Sequence, residues 1–134
     1  MPTALVIESD LFFSVRIEKT LQKMGYAVKV ATTGEQALAE AAANPPDIVI
    51  VNFGEERLHA EETTRKLKDA HSAALVLGHI SHVNMPFVRP NAIHAGCDLL
   101  VANSALTMRL PQLVEKLLGK QTNDAPDDEN AEQK

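Results

Sequence analysis

Several short apolar runs of this chain are followed by polar or very small residues, and these residues are its candidates for chemistry. Glu8 and Ser9 follow the first run, Asn52 ends the third, and Gly78 and Ala102 follow the fourth and the fifth. Carboxylate, hydroxyl and amide oxygens bind magnesium, although a single carboxylate makes such a site weak. An amide is uncharged and a poor nucleophile, so Asn52 supplies no attacking group. The sequence therefore predicts no catalytic residue, no cofactor and no enzyme.

Five apolar runs alternate with helical patterns along the chain. The runs cover residues 4–7, 27–31, 48–51, 73–77 and 99–101. Most are continuously apolar, which is typical of strands buried on both faces of a parallel sheet, whereas Lys29 indicates that the second is an edge strand. The segments between them are long enough for crossover helices. We predict an α/β fold with a doubly wound five-stranded parallel sheet in the strand order 2-1-3-4-5, whose ligand crevice lies at the carboxyl ends of the strands.

Capping residues indicate where the helices begin and end. Asp10 is predicted to cap the first helix, and Gly25 follows that helix where a left-handed residue belongs. Thr33 and Gln36 form a capping box for the second helix. Pro111 interrupts the last helical pattern and removes one backbone donor from it.

Composition restricts the class of protein. The chain has 134 residues, of which 45% are hydrophobic, enough for one domain that we place at residues 1–119. Residues 120–134 contain no large apolar side chain, and we expect them to form a disordered acidic tail. A formal net charge of −5 argues against nucleic-acid binding. Because no signal peptide or membrane-spanning run is recognisable, we expect a cytoplasmic protein that does not contact a membrane.

Five segments together carry a resemblance to a known family. They are residues 4–10, 24–28, 34–38, 47–52 and 95–100. In their order and spacing they resemble the receiver domain of two-component response regulators, over residues 4–118. The resemblance implies a flavodoxin-like topology. It also implies a site in which two acids after the first strand and an aspartate after the third hold magnesium, that aspartate accepts a phosphoryl group, and a hydroxyl and a lysine bind it.

This chain departs from the family's pattern at most of these positions. One carboxylate remains after the first strand, and an amide stands at the acceptor position. In chain order, the positions are Glu8, Ser9, Asn52, Gly78 and Ala102, with Leu99 at the aromatic switch position. Such losses are typical of pseudo-receivers, the members of the family that signal without phosphorylation by binding partners. We predict a stand-alone pseudo-receiver in a two-component system or phosphorelay, with a kinase, another regulator or a larger assembly as its protein partner.

The first helix contains more apolar residues than its core face needs. Its core stripe consists of residues 13, 17, 21 and 24, whereas Phe12 and Val15 point largely away from that stripe. Neighbouring exposed apolar side chains indicate a covered surface, so these two residues are candidates for a partner interface. Met85 and Phe87, at the start of the fourth helix, are a second candidate. The resemblance implies that the fourth and fifth helices would form the interface of a possible homodimer.

Three alternatives concern the crevice and its surroundings. A small ligand could bind in the vacated crevice, where Gly78 would open space and Ser9, Asn52 and Asn103 would form a polar lining. A metal site is disfavoured because the histidines share no ligand spacing, and we expect solvated loop histidines instead, although His79 could be a local pH-sensitive contact. Cys97 is expected to be a small buried side chain rather than a reactive thiol. The histidines concerned are His59, His79, His82 and His94.

Overall fold

The computed structural model describes residues 1–119, and the tail predicted for residues 120–134 lies outside these residues. Five strands alternate with five helices. In chain order they are β1 (Thr3–Ile7), α1 (Leu11–Lys23), β2 (Ala27–Ala31), α2 (Gly34–Ala43), β3 (Ile48–Asn52), α3 (Ala60–Ala70), β4 (Leu75–Ile80), α4 (Met85–Ala95), β5 (Leu99–Ala102) and α5 (Asn103–Gly119), with a 3-10 turn (Glu56–Leu58) before α3.

The strands form one parallel sheet in the order β2-β1-β3-β4-β5, which confirms the predicted fold class and topology. Every residue of β3 and β4 is buried, whereas β2 at the edge is partly exposed, as Lys29 indicated. In the register, Asn52 pairs with His79 of β4, and His79 pairs with Val101 of β5. The carboxyl ends of the central strands therefore meet at one edge of the sheet.

Helices cover both faces of the sheet and give it two aliphatic cores. On one face, α1 and α5 contribute Ile17, Leu21 and Leu113, which are at most 3% exposed. On the other face, α2, α3 and α4 contribute residues such as Leu67 and Met85, both fully buried. Because both faces are covered, the central strands can be apolar along their whole length.

The predicted helix caps are present, with one difference. Asp10 Oδ1 accepts hydrogen bonds from the backbone N–H groups of residues 12 and 13, and Gly25 has a φ of 99°. Thr33 Oγ1 accepts a hydrogen bond from the Gln36 N–H at 3.1 Å. The Gln36 side chain accepts instead from the N–H of Thr32, at 2.7 Å, so the reciprocal bond of the capping box lies one residue earlier than expected.

Two elements differ in detail from the sequence pattern. The fourth apolar run was placed at residues 73–77, whereas β4 extends to Ile80 because β3 and β5 pair with it on both sides through His79. In α5, Arg109 leaves helical geometry with φ −134° and ψ 31°, two residues before Pro111, which is the interruption expected from that proline. Among residues 1–119, no helix has both the length and the apolar character needed to cross a membrane.

Candidate functional site

The end of β1 places one carboxylate in the interior of the protein. Glu8 follows β1 directly and is 1% exposed. Its Oε2 accepts hydrogen bonds from Asn52 Nδ2 at 2.9 Å and from the backbone N–H of Asp10 at 3.2 Å. Its Oε1 lies 3.1 Å from Nε2 of His79. Groups from the first, third and fourth strand ends therefore converge on Glu8.

The environment of His79 differs from the one that the sequence pattern predicted. It is not a solvated loop histidine but a fully buried residue of β4. Its Nε2 faces Glu8, and its Nδ1 lies 2.7 Å from Oδ1 of Asn103 at the start of α5. The Phe13 ring packs against the imidazole with 5.5 Å between ring centroids. The burial follows from the longer β4, which carries the side chain into the edge where the strand ends meet. The exposed histidines are His59, His82 and His94.

Asn52 stands at the predicted position at the end of β3, and both polar atoms of its side chain are engaged. Nδ2 donates to Glu8, and Oδ1 accepts a hydrogen bond from the Gly54 N–H at 2.8 Å. The residue is 6% exposed. Its amide is therefore a structural tie between β1 and the loop after β3. It offers no nucleophile in this edge of the sheet.

The residues at this edge do not fit a magnesium ion. Both oxygens of Glu8 accept hydrogen bonds or face the His79 ring, and the Asn52 oxygen accepts from Gly54. The Ser9 hydroxyl donates to Oε1 of Glu55 at 2.9 Å. Magnesium needs several hard oxygens in octahedral geometry, and these oxygens have protein partners. Within residues 1–119, no three His, Cys, Asp or Glu side chains form a group that could hold a metal ion.

The remaining positions of the family's pattern are apolar and buried. Ala102 is 3% exposed at the end of β5, and its methyl group has no charge to offer a phosphoryl group. Leu99 is fully buried in the core beneath α1 and α5. Gly78 does not open a cavity, because the Phe53 ring lies where its side chain would be. The small-ligand alternative therefore loses the space that was its main support.

An open groove lies beside this edge, between the loop after β3 and the first turn of α3. It has a volume of about 370 Å³, and four glutamates line it. A hydrogen bond from Lys66 lowers the pKa of the exposed Glu62 carboxyl. Negative charge at the start of a helix is stabilised by the helix dipole. The same charge makes the groove unfavourable for a phosphate. The glutamates are Glu55, Glu56, Glu61 and Glu62.

The structure divides the predicted interaction residues into two groups. Phe12 is 65%, Val15 38% and Phe87 79% exposed. Met85, in contrast, is fully buried in the core beneath α4, so its assignment to a surface was wrong. Met85 begins α4 on the face that packs on the sheet, and Phe87, two residues later, points away from it. Leu11, at the start of α1, is also 75% exposed.

Comparison with solved structures gives close matches over most of the chain. The chemotaxis response regulator CheY4 of Vibrio cholerae matches with a TM-score of 0.77 and 18% identity, over 87% of this chain and 98% of that one. A response regulator from Thermotoga maritima matches with a TM-score of 0.74 and 20% identity, over 89% and 98%. A two-component response regulator from Clostridium difficile matches with a TM-score of 0.80 and 15% identity, over 92% and 100%. The chain has the receiver fold. No protein-family model and no curated protein sequence matches it.

The receiver fold explains which site residues the sequence could reveal. Glu8 and Asn52 directly follow or end short apolar runs, so their positions at the strand ends were recognisable. His79 was expected near the strand ends as a solvated residue, and its burial was not recognised; Phe53 was not recognised as part of the site. In the sequence, His79 is marked only by its place after Gly78, beyond the apolar run of residues 73–77. The strand itself extends to Ile80. Phe53 carries no signal of its own, because its contact with Gly78 depends on how the third and fourth strands pair.

Proposed function

We propose that this chain is a stand-alone pseudo-receiver that acts in signal transduction through phosphorylation-independent binding to a protein partner. The observation that carries the proposal is the state of Asn52, an amide at the acceptor position whose two polar atoms bond to Glu8 and Gly54. An amide in this environment neither accepts a phosphoryl group nor holds a metal ion. If the crevice is chemically inert, the protein must act through its constitutive surface.

The surface of α1 is our candidate for the partner interface. Leu11, Phe12 and Val15 are exposed on its outer face. The Phe12 ring packs edge-on against Phe13, with 6.2 Å between centroids, and the guanidinium of Arg16 lies 5.3 Å from the Phe12 centroid. A fixed aromatic ring next to a cation loses little conformational freedom on binding, which is favourable in an interface anchor. Phe87 on α4 is a second, separate candidate.

The chemical part of the proposal is tested with a phosphodonor. Incubation of the protein with acetyl phosphate and magnesium, followed by intact-mass measurement, should give no adduct. The reason is that Asn52 carries no carboxylate, and the Glu8 carboxylate is buried and bonded to Asn52 and Asp10. A stoichiometric phosphate adduct that hydroxylamine removes would contradict the proposal, since that reagent cleaves acyl phosphates.

The interaction part is tested by substitution on α1. The double variant Phe12→Ser/Val15→Ser should lose its native partner in capture from a lysate, while circular dichroism stays unchanged. Removal of an apolar anchor costs about 2 kcal/mol, roughly thirtyfold in affinity. Leu118→Ser is the matched control, because Leu118 is also apolar and 43% exposed but lies at the end of α5. Asn52→Asp should leave the binding unchanged.

The small-ligand alternative would predict the opposite pattern. Silent substitutions on α1, together with loss of activity on Asn52→Asp, would locate the function in the crevice. That result would replace the interaction proposal with ligand binding at the strand ends.

A further inference from the structure

We propose that His79 is a built-in cation: it carries a proton on both ring nitrogens in the folded protein, and its ion pair with Glu8 closes the crevice without a divalent ion. This inference goes beyond the proposed function and does not depend on it, because it concerns the charge state of the site rather than a partner. It rests on the contacts of two side chains that are both buried.

The first argument is that Glu8 is ionised. Its Oε2 accepts from the Asn52 amide and from the Asp10 N–H, and its Oε1 faces His79. Two N–H groups donate to Oε2, and hydrogen bonds donated to a carboxylate favour its ionised form. A carboxylate that is 1% exposed is costly to bury unless a positive charge compensates it.

The second argument comes from the two sides of the His79 ring. Nε2 lies 3.1 Å from a carboxylate oxygen of Glu8, and Nδ1 lies 2.7 Å from the amide oxygen of Asn103. Both neighbours are acceptors, so both ring nitrogens must donate. Beside an ionised Glu8, a neutral imidazole would leave one of the two contacts as an oxygen against a bare nitrogen, because it has only one N–H. The doubly protonated ring satisfies both contacts and supplies the charge that Glu8 needs.

The other elements packed around the ring bring no competing charge. α1 contributes the Phe13 ring, α5 contributes the neutral Asn103, and β3 reaches Glu8 through the neutral Asn52. The Asp10 carboxylate is bonded to the first turn of α1. The Glu55 carboxylate accepts from Ser9. Among these contacts, Glu8 and His79 are thus the one pair in which charge can be neutralised.

The ion pair and the contacts of the His79 ring connect several elements of the fold. Through Glu8 and Asn103, the His79 side chain ties the end of β1 and the start of α5 to β4, and Phe13 brings α1 into the same contact. Phe13 also contacts Phe12, so the buried pair of Glu8 and His79 is connected to the exposed face of α1.

The protonation state can be measured directly on the wild-type protein. Nitrogen-15 spectra of the histidine side chains at pH 7, assigned by comparison with His79→Gln, should show both ring nitrogens of His79 protonated. The exposed His94 serves as the internal reference, and His94→Gln as the matched variant. An unprotonated Nδ1 would overturn the proposal, because the Asn103 amide would then be turned to donate to a neutral ring. An unprotonated Nε2 would also overturn it, because Glu8 would then carry the proton.

A double-mutant cycle tests the ion pair independently. The Tm would be measured for wild type, Glu8→Gln, His79→Gln and the double variant. If the pair is charged, His79→Gln should lower the Tm more in the wild-type background than in the Glu8→Gln background. In the wild-type background, this substitution leaves the buried Glu8 carboxylate without its cation. Equal decreases in both backgrounds would refute the ion pair. If a variant does not fold, the spectra of the wild-type protein still decide the question.

Discussion

The Phe53 ring fills the space beside Gly78 in which a side chain would otherwise lie. A Cβ atom on Gly78 would be 2.5 Å from Cε1 of Phe53 and 2.9 Å from Sγ of Cys97, both closer than van der Waals contact. Phe53 directly follows β3, and its N–H donates to the His79 carbonyl at 2.8 Å, so the neighbouring strand fixes its backbone. The glycine is therefore needed for packing and does not mark a binding cavity.

Gly78→Ala should destabilise the protein by about 1–3 kcal/mol, the usual cost of an extra methyl group in a packed core. Urea denaturation measures the effect. Gly119→Ala is the control and should cost less, because among residues 1–119 no atom outside its own helix backbone and chain neighbours lies within 4 Å of a Cβ there. If the clash with Phe53 is the cause, Phe53→Leu should remove most of the cost of Gly78→Ala. Full additivity of the two substitutions would contradict this explanation.

Magnesium should have little effect on stability, because the oxygens of Glu8, Ser9 and Asn52 already have protein partners. A ligand present below its Kd stabilises the native state by less than about 0.4 kcal/mol, which corresponds to roughly 2 °C in Tm. Thermal denaturation with and without the ion measures this. Calcium at the same ionic strength controls for screening. A rise of several degrees that is specific to magnesium would indicate a functional metal site.

Asp98 should contribute more to the stability of the fold than Glu62, which forms an exposed ion pair. Its Oδ2 accepts from Lys68 Nζ at 3.0 Å and from the Val76 N–H at 2.8 Å. Asp98→Ala leaves that buried N–H without its partner, at an expected cost of about 1–3 kcal/mol. The matched control is Glu62→Ala, which breaks an exposed, solvent-screened pair with Lys66 and should change the stability little. Equal costs in chemical denaturation would contradict the assignment.

Burial raises the pKa of the Cys97 thiol from 9.0 to about 12. The folded state therefore retains a proton that the unfolded state loses, so the stability contribution is present below pH 9 and is lost as pH rises toward 12. The loss is about 1.4 kcal/mol per pH unit within this window. Urea denaturation of wild type and Cys97→Ala at pH 8 to 10.5 isolates it, because other titrating groups are common to both. Parallel pH profiles would show that the thiol titrates normally.

The same burial should protect Cys97 from thiol reagents. Its Sγ lies 3.2 Å from the Leu99 carbonyl oxygen, and the residue is 4% exposed, which confirms the expected buried role. At pH 8, labelling should therefore be limited by opening of the native state and should accelerate with urea. Labelling of the folded protein at the rate of a free thiol would contradict this view.

The sequence by itself determined the sheet and its order. Continuous apolar runs at β1 and β3 require burial on both faces, and the helical segments between them allow only parallel crossovers. Local hydrogen bonds, such as that of Asp10 at the start of α1, could be predicted because both partners lie within one helical turn. The absence of an acceptor carboxylate at Asn52 also needed only the residue type and its position after an apolar run.

The tertiary structure alone decided what occupies the edge where the strands end. Glu8 and His79 are 71 residues apart, and only the parallel register brings their side chains within 3.1 Å. The pairing of β3 with β4 also places Phe53 against Gly78, and the packing of α4 on the sheet buries Met85. No local sequence pattern encodes either arrangement. Strand periodicity assigns a side chain to a face of the sheet, but its partners depend on which strands are neighbours and where each one ends.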